Sequence, residues 1–109
     1  MSIDLPGAIA AYFEADKQKS AQDVVACFTA GAVVEDEGIA YRGPDSICRW
    51  KTESSSKYTY SVEPFSVRHE GRRTLVIAHL TGDFPGSPTD LRYAFEIEGD
   101  KISALEIRA

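Results

Sequence analysis

Cysteine and histidine are scarce in this chain: Cys27 and Cys48, His69 and His79 are all there is of either. Neither pair has the close spacing of a metal-ligand set, so no bound metal is expected. Two isolated thiols in apolar helical patterns read as reduced core or near-core groups, not as a disulfide framework. Long apolar runs are also missing. The longest, Pro6 to Phe13 and Leu75 to Leu80, fall far short of the roughly 20 residues that cross a bilayer. The opening Met-Ser-Ile-Asp-Leu-Pro has neither the basic start nor the apolar stretch of a signal peptide, so a cytoplasmic location is the expectation. Positive charge is in deficit, with 12 basic against 17 acidic side chains and a net charge of −5. The arginines are scattered from Arg42 to Arg108 and form no stripe that could neutralise phosphates, which argues against nucleic acid or an anionic membrane as partner. There is no G-x-G-x-x-G, no Walker-type loop, no G-x-S-x-G and no H-E-x-x-H, and no cofactor is expected.

What is present suits one globular domain spanning residues 1–109. The chain is 43% apolar and 27% charged, with five Tyr, five Phe and one Trp to build a core. Leu5, Ile9, Tyr12 and Phe13 recur at helical spacing behind Asp4, which predicts a first helix over about 4–17 with Asp4 as cap. Ser20-Ala21-Gln22-Asp23 is a capping pattern in front of Val24, Val25, Cys27 and Phe28, with Gly31 as the stop of a short second helix. Ala32 to Asp36 is β-branched and reads as a strand ended by Glu37-Gly38. Gly43-Pro44 opens a third helix with Ile47, Trp50 and Lys51 along one side, ending softly at Ser54-Ser55-Ser56.

The period then changes to two. Tyr58, Tyr60 and Val62 alternate, and Phe65, Val67 and His69 resume one residue out of phase, so a bulge is expected at Pro64. Glu70-Gly71 turns the chain, and Leu75 to Leu80 is apolar on both faces, as in a central strand covered on each side. Leu91, Tyr93, Phe95 and Ile97 alternate with polar residues, and Gly99-Asp100 turns into a last strand with Ile102, Leu105 and Ile107. The Gly82 to Thr89 loop, stiffened by proline, reads as a fixed loop holding Phe84. The order of helices first and sheet second implies an α+β fold in which a curved antiparallel sheet wraps around three N-terminal helices, leaving a cavity on its concave side.

Several of these residues carry a family resemblance: Tyr12 in helix one, Cys27-Phe28-Thr29, Val33-Val34-Glu35-Asp36, Gly38, Tyr41-Arg42-Gly43, Ile47, Trp50, and the Phe95, Gly99, Lys101-Ile102, Leu105 hairpin. Together they resemble the nuclear transport factor 2-like superfamily, a cystatin-like α+β roll, and within it the SnoaL-like and ketosteroid isomerase-like proteins. The resemblance covers nearly the whole chain and is more specific for the cone-shaped fold than for its chemistry. It implies that Asp36 stands where ketosteroid isomerases keep a general-base Asp and Tyr12 where they keep an oxyanion-hole Tyr. The third group of that site, a protonated Asp, has no counterpart, and Tyr93 holds its place. Glu37 beside Asp36 is a second departure, since an acidic neighbour either raises the carboxyl pKa or faces solvent.

A carboxylate on a concave apolar wall is desolvated, which improves it as a base towards a carbon acid next to a carbonyl. Asp36 is read as that base against the bland alternative of a strand-terminating residue. Tyr12 and Tyr93 are read as oxyanion donors against plain core tyrosines. Trp50, Ile47, Phe84 and His79 are the candidate walls of the ligand site, although Trp50 could simply pack helix three on the sheet. For His79, in a strand apolar on both faces, a satisfied core or interface histidine is the commoner outcome. Three readings follow: an enzyme abstracting a proton next to a carbonyl of an apolar small molecule, with isomerisation or aldol-type cyclisation as outcomes; a non-catalytic small-molecule binder; or a homodimeric interaction domain joined through the outer face of the sheet.

Overall fold

The computed structural model describes residues 4–109. In chain order the elements are α1 (Gly7–Lys17), α2 (Ala21–Ala26), β1 (Phe28–Asp36), β2 (Ile39–Arg42), α3 (Pro44–Lys57), β3 (Tyr60–Glu70), β4 (Arg73–Gly82), β5 (Thr89–Glu98) and β6 (Lys101–Arg108). The strands form one curved six-stranded sheet in the order β2-β1-β6-β5-β4-β3. All pairings are antiparallel except β1 with β6, so the sheet is mixed and not purely antiparallel as the sequence suggested. A parallel neighbour for β1 has to come from far along the chain. Here the last strand supplies it.

Local chemistry accounts for most boundaries. α1 begins at Gly7 with Pro6 at its cap and no side-chain cap, so Asp4 does not play the expected role. Ser20 does cap α2, its hydroxyl accepting from the Asp23 backbone N–H at 3.3 Å. α2 stops at Ala26, well before Gly31, because Phe28 and Ala32 are core residues and the chain between them already runs as β1. Glu37 and Gly38 both take positive φ, 54° and 77°, the geometry of a two-residue hairpin turn. They therefore do more than end β1: they pair it with β2, an edge strand of four residues that no sequence pattern announced. Pro44 in the first turn starts α3 as expected. The register of β3 against β4 slips between Pro64 and Ser66, the bulge that the phase change demanded.

β4 lies one place from the sheet edge, not at its centre. Val76, Ala78 and Leu80 face the helices and are buried, whereas Leu75 and Ile77 on the outer face are half-buried. The apolar run reflects one covered face and one partly exposed apolar face.

Aromatic rings fill the concave interior. Tyr12 packs edge-on against Phe13, Phe28 and Phe95 with centroids 5.2, 6.0 and 5.7 Å apart, and Tyr93 stacks on Phe95 at 6.1 Å. Each such pair adds roughly 0.5–1.5 kcal/mol to the burial itself.

The β4–β5 loop is fixed by its own hydrogen bonds: Gly82 N–H donates to Ser87 Oγ at 2.9 Å, and Thr59 N–H to Asp83 Oδ1 at 2.9 Å. Gly82 lies so close to the start of β3 that a Cβ would meet the Thr59 carbonyl oxygen and, at 2.8 Å, Tyr60 Cα. Both contacts are backbone and cannot swing aside. Gly82→Ala is expected to destabilise the fold by about 1–3 kcal/mol, measured by urea unfolding; an unchanged midpoint would contradict this packing.

Candidate active site

Topology gathers one set of side chains at one end of the sheet. Asp36 ends β1, which runs parallel to β6, and β5 runs antiparallel to both. The end of β1, the β4–β5 loop and the start of β3 therefore share that end of the sheet. Along one register row Asp36 pairs with Ile107, Ile107 with Tyr93, and Tyr93 with Val76. At about 4.8 Å per strand this sets the Asp36 and Tyr93 backbones roughly 10 Å apart. Both side chains are on the concave face: Tyr93 is buried, and Asp36 continues the inward series Ala32, Val34.

α3 crosses this end with Ile47, Trp50 and Lys51 buried. The Trp50 indole N–H donates to Asp36 Oδ2 at 3.0 Å, which holds the carboxylate in place. Lys51 Nζ lies 4.4 Å from the centroid of the same indole and 5.6 Å from that of Tyr12. It pairs with Asp16 Oδ1 at 2.6 Å, both side chains being only 4% exposed. The Tyr60 hydroxyl donates to the same Oδ1 at 3.1 Å. Asp16, Lys51 and Tyr60 were absent from the sequence candidates. The signal for Asp16 and Lys51 was a charged residue on an apolar stripe: Asp16 follows Tyr12 by one helical turn, and Lys51 follows Ile47 by one turn.

Burial pushes the Tyr12 and Tyr93 hydroxyls well above the usual phenol range, and the nearby Asp16 charge adds to it; Asp36 raises both further. Tyr60 is also raised, by burial first and then by the Asp16 charge and hydrogen bond. All three phenols are thus held as O–H donors. Neither the Tyr12 nor the Tyr93 hydroxyl has a hydrogen-bond partner among the described residues. Ser55 Oγ is the one side-chain oxygen among the described residues that is both sealed from water and unpartnered.

The remaining candidates divide. Ile47 is core beneath α3. Phe84 sits in the loop at the same end of the sheet, edge-on to Tyr58 at 6.3 Å. His79 does not join the cluster: it is exposed on the outer face and bonded to Asp90 Oδ1 at 2.7 Å. Alternation along β4 accounts for this, since Ala78 and Leu80 take the inner face. Glu37 is exposed in its turn, the solvent-facing alternative. Cys27 and Cys48 are free, half-buried thiols. Among the described residues no three acidic, His or Cys side chains gather as a metal would need, and no helix is long and apolar enough to cross a membrane. Two surface depressions, of about 770 and 350 Å³, lie one outside α1 and α2 and one on the outer face of the sheet, the second bordered by Tyr93 among others.

No family model matches the chain, and no curated protein does. Solved structures do. A candidate polyketide cyclase from Sinorhizobium meliloti is 38% identical over 99% of this chain and 99% of its own, with a TM-score of 0.93. A hypothetical protein with a ketosteroid isomerase-like fold from Catenulispora acidiphila, in complex with trimethylamine, is 17% identical over 97% of this chain and 87% of its own, TM-score 0.85. An NTF2-like protein of unknown function from Cytophaga hutchinsonii is 10% identical over 99% and 93%, TM-score 0.75. The last two are similar in fold alone.

Two stability effects are expected from these contacts. Lys51→Met strands the Asp16 charge and is expected to cost about 3–5 kcal/mol, whereas Asp16→Leu with Lys51→Met should recover most of that loss; urea titration of both variants decides it. The pH dependence has a definite sign. Tyr12, Tyr60 and Tyr93 have folded pKa values above the unfolded 10.0. Their contribution is complete below pH 10 and is lost as pH rises above it, because the unfolded chain gives up protons that the folded one keeps. Unfolding at pH 11 should therefore produce a jump in phenolate absorbance; tyrosines already ionised before unfolding would contradict it.

Proposed function

The chain belongs to the nuclear transport factor 2-like superfamily, among its ketosteroid isomerase-like and SnoaL-like members, and on that footing we propose that it is a small enzyme acting next to a carbonyl group. Asp36 removes a proton from the carbon beside the carbonyl, and Tyr12 and Tyr93 stabilise the enolate oxygen that forms. Isomerisation follows if the proton returns to another carbon, and aldol-type cyclisation if the enolate attacks a second carbonyl. The observation that carries this reading is the pairing, on one concave face, of a carboxylate fixed by the Trp50 indole with two protonated phenols whose hydroxyls have no partner among the described residues. A ligand oxygen is the acceptor such donors lack. The aromatic surroundings suit an apolar substrate, with Trp50 and Phe84 bounding its site.

The reading extends to a cytoplasmic homodimer joined through the outer face of the sheet. Support comes from Leu75 opposite Ala94 and from Ile77 beside them, a half-buried apolar strip on that face.

The test is deuterium exchange at the carbon next to the carbonyl of a cyclic enone, followed by NMR. Wild type should catalyse it, and Asp36→Asn should lose about 10²–10⁴-fold in rate. Planar phenols, standing in for the enolate, should bind both proteins and bind Asp36→Asn more tightly, because the like charge is gone. Exchange that survives Asp36→Asn would overturn the assignment of the base. Binding of enone and phenol without any exchange in wild type would favour a non-catalytic binding domain.

A further inference from the structure

The reaction above engages one of three buried or part-buried charges at this end of the sheet, and leaves Asp16 and Lys51 without a task. Stability does not explain them. A well-packed apolar pair of similar volume usually does as well or better than a buried ion pair. Nor is the pair saturated. An ammonium carries three donors, and Asp16 is the one hydrogen-bond partner of the Lys51 ammonium among the described residues. Two aromatic rings also lie near Nζ: the Trp50 ring at 4.4 Å and the Tyr12 ring at 5.6 Å. Ring faces attract a cation but leave its N–H groups available to a stronger acceptor. Asp16 in turn accepts from both Lys51 and Tyr60 through Oδ1. The ammonium is thus anchored by Asp16, with the Trp50 and Tyr12 rings beside it and Asp36 held at the rim of the same indole.

We propose that Lys51 is a third catalytic donor to the developing oxyanion, placed across the Trp50 indole from the Asp36 base. The assignment rests on the reading that the ligand lies among Asp36, Tyr12 and Tyr93. In the step it serves, the C–H bond next to the carbonyl breaks and its proton passes to Asp36. The C–H electron pair becomes the new C=C bond, and the carbonyl π pair moves onto oxygen, where Lys51 N–H and Tyr12 O–H donate to it. Charge repulsion bears on the substrate class. Asp36, Asp16 and Lys51 sum to one negative charge before the step. After it Asp36 is neutral and the oxygen carries the charge. A neutral ligand adds no charge to the site, whereas one already anionic brings a second negative charge beside Asp36. The substrate class is therefore a neutral ketone, enone or keto-form 1,3-dicarbonyl. Asp16 and Tyr60 are positioning residues for the ammonium.

The experiment uses 4-nitrophenol bound to the Asp36→Asn protein, in which the amide imitates the protonated base, and reads phenolate absorbance as a function of pH. Adding Lys51→Met should raise the apparent pKa of the bound phenol by about one unit or more, a tenfold or greater loss of ionisation. Should that variant fail to fold, Asp36→Asn with Asp16→Leu and Lys51→Met replaces the whole pair and gives the same reading. A bound-phenol pKa that stays in place in the folded variant overturns the role of Lys51 and leaves the Asp36 reading standing. Failure of the phenol to bind Asp36→Asn at all overturns the shared premise and this assignment with it.

Discussion

An ammonium and a carboxylate that are both almost wholly out of water must stay together, and the rest of the site is arranged around that requirement. Each ion alone costs several kcal/mol to bury, so Asp16 and Lys51 bind α1 to α3 at a fixed height over the sheet. Tyr12 sits one turn before Asp16, and Trp50 immediately precedes Lys51. Fixing the ion pair thereby fixes the phenol on one helix and the indole on the other. The indole carries the constraint to β1 through its bond to Asp36. One long-range contact thus sets the relative places of Asp36, Tyr12 and Trp50.

The sheet supplies the other half of the geometry. Because the last strand lies parallel to β1, Asp36 falls in the same register row as Tyr93, with Ile107 between them. Side chains on alternate positions then decide who takes part. Tyr93 and Phe95 point inward on β5, while His79, one residue from buried Ala78 and Leu80, points out to Asp90. Near the site the interior holds aromatic surface that is tolerant of an apolar ligand, and its few polar groups are either spent on one another or, as with the two phenols, unspent.

Much of this was legible in the chain. The change of period after Ser56, the Ser20 cap, the phase slip at Pro64 and the Gly99-Asp100 turn each follow from local sterics and hydrogen bonding, and the family resemblance placed Tyr12 and Asp36 together. What stayed hidden is long-range. β2 is four residues with no buried member to create a pattern. The parallel β1–β6 pairing joins segments some 70 residues apart, which no local rule senses. In β4 both faces are apolar from Leu75 to Leu80, so alternation alone does not say which face is inner or that His79 faces out. Asp16 and Lys51 each look like an interruption of an apolar stripe until the other helix is in place.

Whether Tyr12, Tyr93 and Asp36 face one ligand is decided by a crystal structure of Asp36→Asn soaked with a planar phenol. The phenol oxygen is expected within hydrogen-bond distance of the Tyr12 hydroxyl, with the ring lying against Trp50 and the amide that replaces the Asp36 carboxylate facing its edge. A phenol bound only in the depression outside α1 and α2 or on the outer face of the sheet, with the Tyr12 hydroxyl untouched, would contradict it.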